Sequence, residues 1–325
     1  MVQLTAYSFI MMFEHHLLHD NVKKQEKLML FAMSGVETNP IVPFLVGLSV
    51  SFFTSMGGVS GAFLLLPFQV SFLGYTAPSV SATNQVFNII ATPSGIYRYI
   101  KEGRMLWPLS KYIIIGTLPG VFIGAWIRIE YLPDPKHFKF FAGFVLFYIG
   151  LRLFLDVIKK GKKATSKASS TTKDSKKVTI VNSSFRKVQF EYSENIFSFV
   201  PLYVLILCFI VGIAGGVYGI GGGSIIAPFL VTLFALPVYT IAGAALLGTF
   251  ATSIAGVLFF HFLAFFYPNI NVSPDWMLGC LFGIGGLIGM YLGARTQHLV
   301  PEKVIKGIIC FCVILVAGQY IVDFF

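Results

Sequence analysis

Apolar residues follow one another with little polar interruption over eight stretches, at 40–73, 77–100, 107–130, 137–158, 197–235, 237–267, 275–298 and 302–324. Strands of a membrane barrel would alternate apolar and polar positions in short segments, whereas the run from Phe197 to Phe234 is apolar almost throughout. A helix of about 20 residues crosses a hydrocarbon layer of about 30 Å, and helix satisfies its own backbone groups there. The pattern therefore predicts an all-α polytopic membrane protein. Helix starts are expected at Asn39 before Pro40, at Ser273 before Pro274, and at Pro301 followed by Glu302.

The eight stretches form one four-segment unit written twice. A shift of 161 positions places Gly58 on Gly219, Gly61 on Gly222, Pro67 on Pro228, Phe68 on Phe229 and Gly95 on Gly256. A shift of 169 then aligns Gly116, Gly120 and Gly124 with Gly285, Gly289 and Gly293. This internal duplication divides the chain into an amino-terminal arm (1–39, interfacial or cytoplasmic), a first transmembrane repeat (40–158), a linker (159–196) and a second transmembrane repeat (197–325). Whether the repeats run parallel or inverted is open at this level.

The first segment of each repeat is too long for one simple span, since 34 helical residues would measure about 51 Å. It must tilt strongly, break or fold back. Glycines stand where a break is needed: Gly57, Gly58, Ser60 and Gly61 in the first repeat, and Gly219, Gly221, Gly222, Gly223 and Ser224 in the second. The expectation is a pair of glycine-broken first helices.

Composition agrees with the membrane reading, with 56% apolar and 12% charged residues, where a soluble domain carries about 25% charged. The net charge of +10 does not indicate a nucleic-acid partner, because nine of those charges belong to residues 159–187, where ten Lys or Arg face the single acid Asp174. Such a basic, Ser/Thr-rich stretch reads as a disordered cytoplasmic linker, with anionic lipid headgroups as a possible secondary partner. Cys208, Cys280, Cys310 and Cys312 lie in apolar runs and read as packing or lipid-facing residues. His15 and His19 have the i, i+4 spacing of a helical metal site, but an interfacial helix explains them. Residues 1–20 do not resemble a cleavable signal peptide.

Candidate chemistry centres on neutral groups. Four glycines within 219–223 suggest unwound backbone facing a cavity, with packing as the alternative. Successive N–H groups at the start of the following half-helix attract anions. Asn84, Asn88 and Thr92 share one helix face, with Gln85 beside them. Under the 161 shift, Thr249 answers Asn88 and Ser253 answers Thr92, so these residues read as a lining, or else as interhelical hydrogen bonds. The four-residue glycine ladders read as helix packing. No Asp or Glu occurs between Pro40 and Lys101, or between Asn195 and Pro274, so a carboxylate relay or cation site lacks its groups there. Arg98 reads as an interfacial anchor, and His261 as a structural hydrogen bonder deep in the second repeat.

The run Gly212–Leu230, GIAGGVYGIGGGSIIAPFL, followed by Gly248 and Thr249, resembles the TauE/SafE family of sulfite-exporter-like permeases. The resemblance covers about 40–156 and 197–325. It implies a duplicated four-helix unit that moves sulfite, thiosulfate, organosulfonates or related anions across the plasma membrane. The expected protein is a multi-pass secondary transporter without cofactor or metal, not an enzyme. Its partners are a small anion, the lipid bilayer and a coupling proton or sodium ion. The substrate-binding residues are Gly57, Gly58, Ser60, Gly61, Asn84, Asn88, Thr92, Gly219, Gly221, Gly222, Gly223, Ser224, Thr249 and Ser253, exposed alternately by rocking of the two halves. The rival readings are a passive anion channel and, with less support, a membrane-embedded enzyme.

Overall fold

Both long first stretches break. The computed structural model describes residues 28–56, 60–158, 178–296 and 302–324. The first stretch is α1 (Ile41–Met56) and then α2 (Ala62–Pro67), which continues into one π-helical turn, Phe68–Phe72. The fifth stretch is α6 (Pro201–Tyr218) and α7 (Gly222–Leu233). The remaining stretches are single helices: α3 (Ser79–Lys101), α4 (Trp107–Glu130), α5 (Pro135–Ile158), α8 (Val238–Leu263), α9 (Trp276–Thr296) and α10 (Glu302–Val322). Among the described residues, Trp107–Glu130, Pro201–Tyr218, Thr240–Leu263 and Trp276–Gly293 are long and apolar enough to cross a membrane.

The broken stretches fold back on themselves. A Cβ on Gly215 would lie 3.0 Å from the Cα of Gly222, and one on Gly61 would lie 3.0 Å from Val50 Cγ1. So α7 folds back against α6, and the start of α2 comes back against α1. The two hairpins enter from opposite ends of the molecule. At the first end Ser34 bonds Asp275, the Ser79 N–H donates to the Asn271 carbonyl at 3.0 Å, and Phe140 stacks on Phe324; α1 starts here. At the second end the Val178 N–H donates to the Gly103 carbonyl at 3.1 Å and Tyr112 meets Phe199 edge-on; α6 starts here.

Packing interleaves the halves of the chain. α1 lies along α9, α4 along α6, α3 along α8 and α5 along α10. The glycine ladders set two of these contacts. A Cβ on Gly120 or Gly124 of α4 would sit 2.3 Å from the Phe209 carbonyl oxygen or 2.2 Å from that of Ile213 in α6. A Cβ on Gly285, Gly289 or Gly293 of α9 would sit 2.0–2.2 Å from the carbonyl oxygens of Phe44, Leu48 and Phe52 in α1. Small residues let these backbones touch, which is how helices associate where lipid offers no hydrophobic drive.

Side-chain distribution is that of a protein in hydrocarbon. Ile115, Ile123, Phe147, Ile206, Leu258 and Phe311 are exposed, while Asn84, Gln85, Asn88, Thr92, Thr249 and Ser253 are fully buried. Water as the surrounding solvent would favour the reverse.

Small sheets cap both ends. β1 (Met29–Phe31) and β2 (Val36–Thr38) form a hairpin with Met29 opposite Thr38, at the end away from the linker. β3 (Thr179–Ser183), β4 (Val188–Tyr192) and β5 (Asn195–Phe199) form an antiparallel sheet with an irregularity between Ile180 and Asn182. The disordered linker expected over 159–196 is thus corrected from Val178 onward; residues 159–177 lie outside the described set, as do His15 and His19. The signal for β4 is local. Val188 and Phe190 are buried, alternating with Gln189 and Glu191, a period of two that the basic, Ser-rich flank obscures.

Helix starts follow capping chemistry. The Asn39 side chain accepts from the Ile41 N–H at 2.9 Å, as expected. Asp134 Oδ1 accepts from the His137 and Lys136 N–H groups at the start of α5, and these bonds hold its carboxyl below the usual carboxylate range. α9 starts at Trp276 rather than after Ser273, because buried Asp275 is the cap. Its Oδ1 accepts from the Leu278 N–H at 3.0 Å, and its Oδ2 accepts from the Ser34 hydroxyl at 2.7 Å and the Ser34 N–H at 3.1 Å. Asp275→Ala is expected to lower stability by about 2 kcal/mol, since it removes a cap and strands the buried Leu278 N–H and the half-buried Ser34 donors. Thermal unfolding in detergent measures this, and a variant as stable as the parent would contradict it.

Candidate functional site

The two helix breaks meet on one side chain. Gly219 and Gly221 adopt φ of +75° and +76°, a left-handed backbone that glycine accepts without the Cβ strain of other residues, and Ile220 between them turns its carbonyl toward α3. Asn88 Nδ2 donates to that carbonyl at 2.7 Å. Asn88 Oδ1 accepts from the Ser60 hydroxyl of the first break at 2.6 Å. One buried amide therefore joins both interruptions.

The neighbours of Asn88 serve the same junction. Asn84 Nδ2 donates to the Ala62 carbonyl at 3.0 Å, and Gln69 Nε2 donates to Asn84 Oδ1 at 3.4 Å. The Ser81 hydroxyl donates to the Val217 carbonyl at 2.9 Å, and the Tyr218 hydroxyl donates to that of Phe63 at 3.0 Å. The Thr92 hydroxyl donates to the Asn88 carbonyl of its own helix at 2.7 Å, the back-bond usual for Thr within a helix.

Across the second break stands α8. A Cβ on Gly221 would lie 3.0 Å from Ser253 Oγ and 3.1 Å from Thr249 Cγ2; one on Gly223 would lie 2.0 Å from the Ala245 carbonyl oxygen. No side chain caps the start of α7 at Gly221, although the first N–H groups of a helix have no partner within it. Gly222, Gly223 and Ser224 form that first turn. The positive end of the α7 dipole, worth about half an elementary charge, thus lies beside the buried Ser253.

Of the sequence-derived residues, Ser60, Asn84, Asn88, Gly219, Gly221, Gly222, Gly223, Thr249 and Ser253 converge on this centre. Gly61 opens α2 and packs on α1, Thr92 stands one helical turn beyond Asn88, and Gly57 and Gly58 lie outside the described residues. Arg98 does not join them: its Nε donates to Glu102 Oε1 at 2.8 Å at the far end of α3. His261 is exposed in the last turn of α8 against the Phe265 ring, which corrects its placement deep in the second half.

Two buried residues stand outside the sequence-derived site: Gln85, which the sequence placed only beside the polar face of α3, and Arg128, which it did not single out. Gln85 is fully buried, and neither end of its amide has a hydrogen-bond partner among the described residues; its spacing of three from Asn88 was the available signal. Arg128 is fully buried in the last turn of α4. It donates to the carbonyls of Leu132 and, at 2.9 Å, Thr76, with its guanidinium 3.7 Å from the Phe138 ring centre. Nothing in sequence separates such a clamp from an interfacial arginine. Among the described residues no cluster of His, Cys, Asp or Glu could hold a metal ion.

Interrupted helices whose half-helix ends meet at a buried polar centre recur in membrane transport proteins. The chain belongs to the family described as Sulfite exporter TauE/SafE, whose model matches residues 43–320. It is similar to the probable membrane transporter proteins YunE and YjnA of Bacillus subtilis (strain 168). The first is 25% identical over 87% of this chain and 97% of the relative, and the second 23% identical over 84% and 96%. A probable membrane transporter protein of Haemophilus influenzae is 30% identical over 34% of this chain and 39% of its own length. No solved structure matches the chain. The protein is a membrane permease.

Proposed function

We propose that the protein is a secondary transporter that moves a small anion, of the sulfite, thiosulfate or organosulfonate class, across the plasma membrane. The reading rests on the uncapped, buried start of α7 at Gly221–Gly223. Backbone N–H groups there face a centre that Asn88, Thr249 and Ser253 surround, and no carboxylate lies in the flanking sequence to repel a negative solute. The first break contributes mainly through Ser60 and Asn88, which hold the second break in shape.

The two halves are an inverted repeat. The support is that the α1–α2 and α6–α7 hairpins enter from opposite ends, and that the first helix of each half packs on the helix of the other half's third stretch, α1 on α9 and α6 on α4. This arrangement also gathers Arg98, Lys101, Arg104, Lys111, Arg186, Lys187 and Arg295 at the second end with the basic linker, which the positive-inside rule makes cytoplasmic. Because glycine contacts lock helices of one half onto the other, alternating access runs between these cross-half bodies and not by parting the two halves. A proton or sodium ion supplies the coupling.

Gly221→Leu and Gly222→Leu are expected to abolish uptake while the protein still inserts. A Cβ on Gly222 would meet Thr117 Cγ2 at 2.5 Å, and one on Gly221 would also require left-handed backbone. Sulfite, thiosulfate and methanesulfonate flux into proteoliposomes is the measurement. Uptake at the parent rate by correctly inserted variants would refute the site. Accumulation against a gradient separates a transporter from a channel, and recovery of the solute unchanged separates it from an enzyme.

A further inference from the structure

We infer that Gln85, together with Ser253, is the side-chain contact that selects the substrate, and that it selects a singly charged oxyanion still bearing one O–H. The inference rests on the transport reading above and assigns its specificity.

The amides and hydroxyls at the centre fall into two groups. Asn84, Asn88 and Ser60 spend their hydrogen bonds on the two breaks, as given above, and Thr92 on its own helix. Gln85 Nε2, Gln85 Oε1 and Ser253 Oγ have no partner among the described residues, and both residues are fully buried. A buried polar group without a partner costs about 1–3 kcal/mol, and in native structures such a group asks for an explanation. Ser51, Gln69, Ser79 and Arg128 also carry unpartnered atoms, but Gln69 already donates to Asn84, Ser51 stands on α1, Ser79 at the start of α3 and Arg128 in the last turn of α4.

Place distinguishes Gln85 and Ser253. α7 runs antiparallel to α8, with Gly223 against Ala245 and Thr249. Beyond the first turn of α7, α8 continues past Ser253, which faces Gly221, to Gly256 one turn later. A Cβ on Gly256 would lie 2.2 Å from Gln85 Oε1 and 2.7 Å from Nε2, so the absence of a side chain there makes the room that the glutamine amide occupies. The order along α8 is therefore helix N-terminus, hydroxyl, amide. An oxyanion at the N–H groups of Gly222 and Gly223 has Ser253 beside it and Gln85 on its far side.

The chemistry of that set limits the charge. No Lys or Arg occurs from Pro40 to Tyr97 or from Asn195 to Ala294, so the positive end of α7, about half a charge, faces the solute without a cationic side chain from these segments. Of the cations on α4, which packs on Gly222 through Thr117, Lys111 is exposed and Arg128 is committed to the Leu132 and Thr76 carbonyls. A second negative charge would therefore be buried uncompensated. A glutamine amide also presents an acceptor beside its donor. A fully ionised or O–H-free anion leaves that acceptor empty, whereas a hydrogen-sulfite-like monoanion fills it.

The test is calorimetric binding of sulfite, methanesulfonate and sulfate to the purified full chain in nanodiscs, across the second ionisation of sulfite. Sulfite binding should follow the singly protonated form and weaken as pH rises, while the weaker methanesulfonate binding stays flat and sulfate binds about tenfold or more below both. Gln85→Leu should lose sulfite affinity about tenfold or more with an unfolding temperature equal to or above the parent, a combination that a purely structural glutamine would not produce. Gly256→Ala, which displaces the flexible amide, should reproduce the loss should the leucine variant fail to insert. Sulfite bound equally at all pH values, or by Gln85→Leu and Gly256→Ala as tightly as by the parent, overturns the inference and leaves the transport reading standing. A parent that binds none of the three anions overturns both.

Discussion

Asn88→Ala is expected to abolish transport and to destabilise the protein by about 2–5 kcal/mol. The substitution strands two buried groups at once, the Ile220 carbonyl that Nδ2 satisfies at 2.7 Å and the Ser60 hydroxyl that Oδ1 accepts at 2.6 Å. Each stranded group costs about 1–3 kcal/mol away from water, and the alanine leaves a cavity between them. Asn88→Asp is a sharper probe, because it keeps volume and the Ser60 contact but sets a carboxylate oxygen against the Ile220 carbonyl. Both variants should unfold at lower temperature in detergent and show no uptake in proteoliposomes. Asn88→Ala with parent-level uptake would remove Asn88 from the junction.

The second large effect belongs to the glycine ladders. Gly120→Ala in α4 would place its Cβ 2.3 Å from the Phe209 carbonyl oxygen and 2.8 Å from the Ile213 nitrogen. Backbone cannot swing aside as a side-chain tip can, so α6 must move and carry the break at Gly219–Gly221 with it. Overpacking of this kind costs about 1–3 kcal/mol, and more is expected where both colliding atoms are main chain. Gly318→Ala in α10 is the control: nothing lies within 4 Å of its added carbon, and replacing glycine in a helix gains up to about 1 kcal/mol. Unfolding temperatures of the two variants should move in opposite directions. Equal behaviour would mean that the α4–α6 contact is not the one that holds the break in place.

Legibility in the sequence tracked how local each determinant is. Apolar run length reports directly on the solvent around a helix, so all eight stretches were found within a few residues, and a 34-residue first stretch cannot be one span at 1.5 Å per residue. The glycines at 219–223 marked the break because left-handed backbone at Gly219 and Gly221 excludes most other residues. Capping was partly legible: Asn39 stands directly before its helix, but Asp275 was hidden behind Ser273 and Pro274, since its worth comes from Ser34, far away in the chain. The sheet at 178–199 was missed because its alternating residues are few and follow a long basic tract.

The candidate site divides along the same line. The polar face of α3 is set by residue spacing alone, so Asn84, Asn88 and Thr92 could be read as one group. Which amides along it are committed and which are free depends on atoms more than a hundred residues away: Ile220 for Asn88 and Gly256 for Gln85. The sequence by itself determined the membrane class, the element lengths, the two breaks and the absence of carboxylates around them, because each follows from composition or period within one segment. Only the tertiary structure decided that the two hairpins enter from opposite ends, that helices of one half lock onto the other, and that the glutamine beside Asn84 is left unpaired, because those facts are contacts between segments whose order in space no local pattern encodes.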